Sequence, residues 1–476
     1  MSANKTIARN TLVLNAGHVI AKLINLALIL IMTQMLGDDG YGFYNFGFSF
    51  VMLFMIFTQF GMSTYLVRHI SQNKSTAEKV FGTTFPLVIV FSVITLLLVN
   101  GIAGLTNWTD FERSIIFLFS FFLFFDGISR FSYAIFRSFE RMEFEALTYI
   151  SERFLMLIAA LILWQTGASL LPLIAVFAAV ECLKALLALG FIHRTFFRIR
   201  LKWDRELARF ILKESWPFAM ITAFGAIMVN IDSVMLKIFH TADVVGIYAA
   251  GRRLIESLTF LPETFVVALF PAFSALFVQN RNLFQQNMQR AFQYMLAIAV
   301  PIGVVLFMLA DEIVVFLFAD EFAGSAVALQ WLAIWLSLLF LKQVLVVSLN
   351  ATGHQRLVSA LIGLAMLLNV MLNYLLIPQF VIIGACVATI AAESVTVVGA
   401  LIMLKKHFQL DIFSVTNAKI LLAGALLWVI VYYLQNVPVV VAGILSIAGY
   451  VLLIYFLQIV DKKELDFLKN MSKRQK

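Results

Sequence analysis

Apolar residues run along this chain in long blocks separated by short polar breaks, and about fourteen blocks are long enough to cross a bilayer, for which a helix needs about 20 apolar residues. The pattern predicts helical spans at 10–36, 43–67, 80–101, 114–138, 144–166, 170–193, 214–238, 246–272, 288–310, 326–349, 356–377, 381–404, 417–435 and 437–460. Inside the hydrocarbon every backbone group has to be satisfied within the segment, so continuous helices are expected. Fourteen spans put both termini on one side.

Composition agrees: 62% of the 476 residues are hydrophobic and only 13% are charged. Mean hydropathy is +0.94. The expected class is an all-α polytopic membrane protein.

Charge gives the orientation. Lys and Arg gather in alternate connections, from Lys5 and Arg9 through Arg68, Lys74, Lys79, Arg137 and Arg141 to a dense run at Arg194–Lys213 and the tail after Lys462. The other connections carry Asp38, Asp39, Asp110, Glu112, Asp243, Asp311, Glu312, Asp320 and Glu321. The positive-inside rule then places both termini in the cytoplasm, with the protein in the inner (cytoplasmic) membrane. The net charge of +8 is thus a topology signal and does not point to nucleic acid. Cys182 and Cys386 both fall within spans and read as small apolar residues, with no metal spacing. The first apolar stretch is too long for a cleavable signal and ends in no small-residue site.

The chain also repeats itself. Asp39, Gly42, Tyr44 and Gly47 at the start of the second span stand in the same register as Asp243, Gly246, Tyr248 and Gly251 at the start of the eighth. Glycines there allow a tight turn and close helix approach. Spans 1–6 and 7–12 therefore read as two parallel six-helix lobes, 1–193 and 214–404. An amphipathic linker at 194–213, with Phe196, Phe197, Trp203, Leu207, Phe210 and Ile211 as its apolar residues, joins them. Two further spans occupy 405–460, and 461–476 is a cytoplasmic tail.

Ionisable groups at bilayer depth cost about 2.5–3.5 kcal/mol on insertion scales, so each suggests a partner or a task. Asn15, His18, Lys22 and Asn25 form one stripe on span 1, three or four residues apart. Either it is a hydrogen-bonding helix seam, or it is the wall of a polar cavity. Tyr248, Arg252, Glu256, Thr259 and Glu263 form a second stripe, on span 8, with Arg253 beside it. Adjacent guanidinium groups suit a phosphate or pyrophosphate. Glu256 and Glu263 weaken that field. Lys22, Arg252 and Arg253 are therefore the expected cationic lining of such a cavity, and Asn15, His18, Asn25 and Tyr248 its expected neutral polar lining. Asp232 and Glu256 are candidates for ion coupling, the competing role of Asp232 being a salt bridge to Lys237 or Arg253. Asp126, Arg130, Tyr133 and Arg137 share a face of span 4 and read as an internal ion-pair ladder more than a site.

At this point the chain resembles the Wzx-type oligosaccharide flippases of polysaccharide biosynthesis, within the MATE-like superfamily that also holds the lipid II flippase. The resemblance rests on Arg9-Asn10-Thr11, on 36–44 (LGDDGYGFY), on Gly61-Met62, on 230–236 (NIDSVML) with 245–248 (VGIY), and on 373–378 (NYLLIP) with 384–389 (GACVAT). It implies a MATE-like fold and alternating access around a central cationic cavity. Its implied cargo is an undecaprenyl-pyrophosphate-linked oligosaccharide, carried from the inner to the outer leaflet; for that cargo Lys22, Arg252 and Arg253 are the expected headgroup ligands, and Asn15, His18, Asn25 and Tyr248 are expected to bond sugar hydroxyls. Membrane lipids, polymerase and glycosyltransferases are the partners it implies, with no cofactor.

Two other readings compete. A MATE-type drug exporter for cationic drugs needs a net acidic, aromatic site, and Lys22 argues against it. A membrane glycosyltransferase or polymerase is suggested by Asp38-Asp39. The outer connections are short, however, and Asp39 recurs at Asp243 as part of a repeated turn. No Ser/His/Asp set, Cys nucleophile or phosphate-binding glycine loop is evident, so the expectation is a transporter and not an enzyme.

Overall fold

The structure is a computed structural model that describes residues 3–459 except 409, with the side chains of 3–16, 18, 19, 267 and 268 left aside. Among the described residues there are helices and no strands. Twelve helical stretches are long and apolar enough to span a membrane. Two of them hold two spans each. Ala3–Met52 breaks at Gly37, whose φ of 67° is the left-handed value that glycine tolerates. Gln355–His407 breaks at Val381, three residues beyond Pro378. The fourteen predicted spans are thus all present, including the doubtful junction at 435–438, where Val415–Leu434 gives way to Val439–Phe456.

The second span departs from a simple rod. It runs to Met52, restarts as Met55–Gln59, turns through left-handed Phe60 and Gly61, and finishes as Met62–Gln72. A Cβ on Gly61 would sit 2.5 Å from the Ser215 carbonyl oxygen. The glycine therefore sets the break against the start of span 7 (Arg205–Phe239). Broken backbone at membrane depth is tolerated where it is buried in protein or lines a polar cavity. Here the Gln59 amide donates to the Gly127 carbonyl of span 4 (2.9 Å).

Packing divides the chain into two compact units. The first holds residues up to Arg253 together with Val370–Ala385; the second holds Leu254–Asn369 and the chain from Cys386 onward. This division falls within span 8 and does not follow the lobe boundaries drawn from the repeat.

In the first unit the repeated glycines meet each other. A Cβ on Gly42 would lie 1.7 Å from the Ala242 carbonyl oxygen, and one on Gly246 would lie 2.0 Å from the Asp38 carbonyl oxygen. The two repeats cross backbone against backbone, as small residues at a membrane helix interface permit. The linker lies at the other end of the bundle. Residues 197–204 are not helical but cross span 3 as a strap. The Lys202 amide donates to the Gly82 carbonyl (3.3 Å), and the Thr83 hydroxyl donates to the Lys202 carbonyl (2.9 Å). Phe196, Phe197, Leu207 and Ile211 pack with Phe81, Phe131 and Phe136, whereas Trp203 and Phe210 are exposed.

The second unit is held by apolar packing. Val415–Leu434 and Val439–Phe456 bury Leu427, Val431 and Tyr450 against Leu309. The ion pair of half-buried Lys342 with buried Glu393, at 2.6 Å, ties spans 10 and 12.

Candidate functional site: a charged cavity in the first unit

Span 4 is the spine of the site. Its start is fixed by a capping box in which Thr109 and Glu112 bond each other's backbone amides. Glu112 also holds Lys237 at 2.6 Å, and that ammonium lies over the Phe43 and Phe46 rings. About 25 residues later, roughly 35–40 Å along the helix at 1.5 Å per residue, the same span presents Arg137.

Between these ends Asp126, Arg130, Tyr133 and Arg137 share one face, as their spacing predicts. Arg130 Nε donates to Asp126 Oδ2 (2.5 Å). Arg137 forms a bidentate pair with Glu145 of span 5, through Nε to Oε2 (2.8 Å) and Nη2 to Oε1 (2.5 Å). Both arginines keep about half their side-chain surface exposed, 51% and 48%. They face a cavity of about 430 Å³ lined also by Gln59, Ser63, Tyr149, Lys184 and Thr222. That size is ordinary for a binding pocket. A second recess of about 330 Å³ shares Arg130, Arg137, Ser63 and Thr64 with it and adds Arg68. Three arginines and two hydroxyl side chains line this recess, and no carboxylate does.

A buried triad stands at the cavity wall, with Lys184 lining the cavity and Glu152 and Glu181 behind it. Lys184 Nζ is 2.8 Å from Glu152 Oε2 and 2.7 Å from Glu181 Oε1. Arg153 stands 3.6 Å from Glu152 and donates to Asn25 of span 1 at 3.4 Å.

A separate network surrounds Asp232, which has no exposed surface. Its Oδ2 accepts from the Tyr248 hydroxyl and Arg252 Nη1, both at 2.9 Å, and its Oδ1 accepts from Asn373 Nδ2 at 2.6 Å. The structure thus brings Asp232, Tyr248 and Arg252 together as mutual partners. Asp232 pairs with Arg252, and Lys237, one of the two partners considered for Asp232, pairs with Glu112. Arg253 lies over the Phe48 ring (5.9 Å), and Lys22 and Asn25 are half-buried. Asn15 and His18 lie outside the described side chains. Glu256 belongs to the second unit. Neither Cys182 nor Cys386 is in a disulfide among the described residues. Among the described residues, no three His, Cys, Asp or Glu come together as a metal-binding group.

Sequence reasoning named the span-4 face but read it as internal pairing. It did not join that face to the break in span 2, whose signal was Gly61 flanked by Gln59 and Ser63.

The family model described as "Polysaccharide biosynthesis protein" matches residues 7–277. The chain belongs to this family. An uncharacterized membrane protein of Methanocaldococcus jannaschii is 22% identical over 267 residues, covering 54% of this chain and 53% of that protein. The chain thus spans about half the length of the curated relative it matches.

Among solved structures, the lipid II flippase MurJ in an inward closed conformation superposes with a TM-score of 0.77 at 15% identity, over 94% of this chain and 99% of that one. An inward-facing multidrug resistance MATE transporter of the MOP superfamily gives 0.65 at 15% identity, over 81% and 95%. A MOP superfamily transporter from Pyrococcus furiosus, described as having a binding pocket of reversed polarity, gives 0.55 at 14% identity, over 84% and 96%. This family member therefore has the MOP fold of a multi-pass membrane protein.

Proposed function

We propose that this protein is a flippase that moves a polyprenyl-pyrophosphate-linked oligosaccharide from the cytoplasmic to the outer leaflet of the inner membrane by alternating access, and is not an enzyme. The observation that carries the reading is the paired recess of the first unit. Arg68, Arg130, Arg137 and Lys184 line it beside the carboxylates Asp126 and Glu145, with Glu152 and Glu181 holding Lys184 from behind, and one recess has three arginines and no lining carboxylate. Such a surface attracts a diphosphate and repels a cationic drug. Hydroxyl and amide groups from Gln59, Ser63, Thr64 and Tyr149 supply the short polar contacts that sugars take.

The positive-inside pattern supports cytoplasmic termini, and it sets this recess at the cytoplasmic ends of spans 2 and 4. There it would receive the headgroup of a lipid made inside. Lys22 and Arg253 remain proposed headgroup ligands, and Asn15, His18 and Asn25 proposed sugar ligands. Arg252 and Tyr248 fit better as fixed partners of Asp232 than as open binding groups; Asp232 and Glu256 remain, each by itself, proposed ion-coupling residues. Polymerase and glycosyltransferases of the same pathway are the proposed partners.

The test is a strain lacking the gene, with its lipid-linked oligosaccharides assigned to leaflets. The reading expects accumulation on the cytoplasmic face, reversed by the wild-type protein and not by Arg130→Gln. Unchanged lipid-linked sugars with new drug sensitivity would overturn it in favour of an exporter. A truncated glycan with no leaflet imbalance would point to an enzyme.

A further inference from the structure

The triad at the cavity wall has an unequal composition. Glu152 on span 5 and Glu181 on span 6 share the single ammonium of Lys184. Glu181 is fully buried. Its Oε1 already takes Lys184 and the Ser129 hydroxyl (3.0 Å), whereas its Oε2 is buried without a hydrogen-bond partner. A buried carboxylate oxygen left without a donor is costly, and native structures keep such groups for a reason. The smallest donor that completes it is a proton.

The surrounding charges define what that proton would do. Span 4 contributes Asp126, Arg130 and Tyr133; span 5 contributes Glu152, Arg153 and Tyr149; span 6 contributes Lys184; span 2 contributes Tyr44; and Asn25 of span 1 accepts from Arg153. Asp126, Glu152 and Glu181 balance Arg130, Arg153 and Lys184 when all are ionised. The Arg137–Glu145 pair is neutral by itself. Lys184 and Arg130 also line the cavity, while Glu152 and Glu181 do not.

We infer that Glu181 is a proton-binding site that sets how much positive charge Lys184 presents to the cavity, so that proton uptake and binding of an anionic headgroup favour one another. A proton from water bonds to Glu181 Oε2. The carboxyl becomes neutral, its hold on the Lys184 ammonium weakens, and the cluster gains one positive charge facing the cavity. Linkage makes the effect reciprocal: a bound diphosphate draws the proton onto Glu181. The inference rests on the flippase reading for the identity of the anion, and the site itself stands on the geometry of the triad.

Two readouts on the purified full-length protein separate these. The first is the infrared band of a protonated carboxyl, followed against pH without ligand. The proposal expects a band that titrates in the wild type, is missing in Glu181→Gln and shifts its midpoint in Ser129→Ala, which removes the second donor to Glu181. A band unchanged in Glu181→Gln, or unmoved in Ser129→Ala should the former fail to fold, overturns the proton site. The second readout is binding of inorganic pyrophosphate. One linked proton makes wild-type affinity fall by up to about tenfold per pH unit above the midpoint, and Glu181→Gln should be flat. An identical pH dependence in both overturns the linkage. If the band behaves as expected while pyrophosphate binds at no pH, the linkage fails together with the anionic-cargo reading, and the proton site survives.

Discussion

The two ends of the first unit are built on opposite principles. At one end the repeated turns cross with no side chain between them: Gly42 lies on the Ala242 carbonyl and Gly246 on the Asp38 carbonyl. At the other end span 2 is broken, and the space it leaves is lined by Arg68, by Arg130 paired with Asp126 of its own span, by Arg137 paired with Glu145 of span 5, and by Lys184 held by Glu152 of span 5 and Glu181 of span 6. The first end is held by close backbone approach, which tolerates no added atom. The second is held by ion pairs, which tolerate a change of shape but not the loss of one partner. An element that must pack tightly in one state and open in another suits the first construction, whereas a surface that must hold a variable polar ligand suits the second.

The largest expected effect is at the charged end. Lys184→Ala leaves Glu181 buried with no cation beside it and Glu152 with only Arg153 at 3.6 Å, and breaking a buried pair in this way costs about 3–5 kcal/mol. The unfolding midpoint in detergent should fall sharply, and adding Glu152→Gln with Glu181→Gln should recover much of it. No recovery would mean that the amine's packing, not its charge, holds the cluster.

The crossing end comes next. Gly42→Ala or Gly246→Ala forces a methyl into backbone and should cost about 1–3 kcal/mol or more. Gly101→Ala in span 3, where an added Cβ meets nothing within 4 Å, should be neutral or slightly stabilising. Equal effects at the three positions would remove the distinction between the two ends.

Arg68 is exposed and lines the recess, so Arg68→Ala should change stability by less than about 0.5 kcal/mol. Its loss of one charge-assisted contact should lower transport of a diphosphate-linked lipid by roughly tenfold. Transport at the wild-type rate would move the headgroup site elsewhere.

The smallest effect concerns the strap. Asp204 is held below the usual carboxylate range by the hydrogen bond from the Leu207 amide and by Lys79 at 2.8 Å. A lowered carboxylate contributes stability that is present above its ordinary range and is lost as pH falls through the lowered value. Protection of the Leu207 amide from hydrogen exchange should therefore weaken in acid, and Asp204→Asn should remove that dependence.

Much of this contrast follows from what a sequence pattern can carry. Spans, the Gly37 break and the repeated glycines were legible because each is local: length, a missing side chain, and a motif repeated in register. The stripe Asp126, Arg130, Tyr133 and Arg137 was legible too, as a face of one helix. Its neighbours were not. Lys184 finds Glu152 across spans 5 and 6, and Asp232 finds Asn373 across spans 7 and 11, with no periodicity to announce either pairing. For the same reason Arg252 read as an open ligand until its carboxylate appeared beside it. The second span read as one helix because Phe60 and Gly61 interrupt a hydrophobic run without a change in composition.

The most direct test of the central claim is a reconstituted one. The purified protein is placed in liposomes carrying a fluorescent polyprenyl-pyrophosphate disaccharide in one leaflet, and the rate at which the lipid reaches the other leaflet is measured. The account predicts transfer that is fast with the wild type and falls to the protein-free rate with Arg130→Gln. Transfer that is no faster than in empty liposomes, or that is indifferent to Arg130, would contradict it.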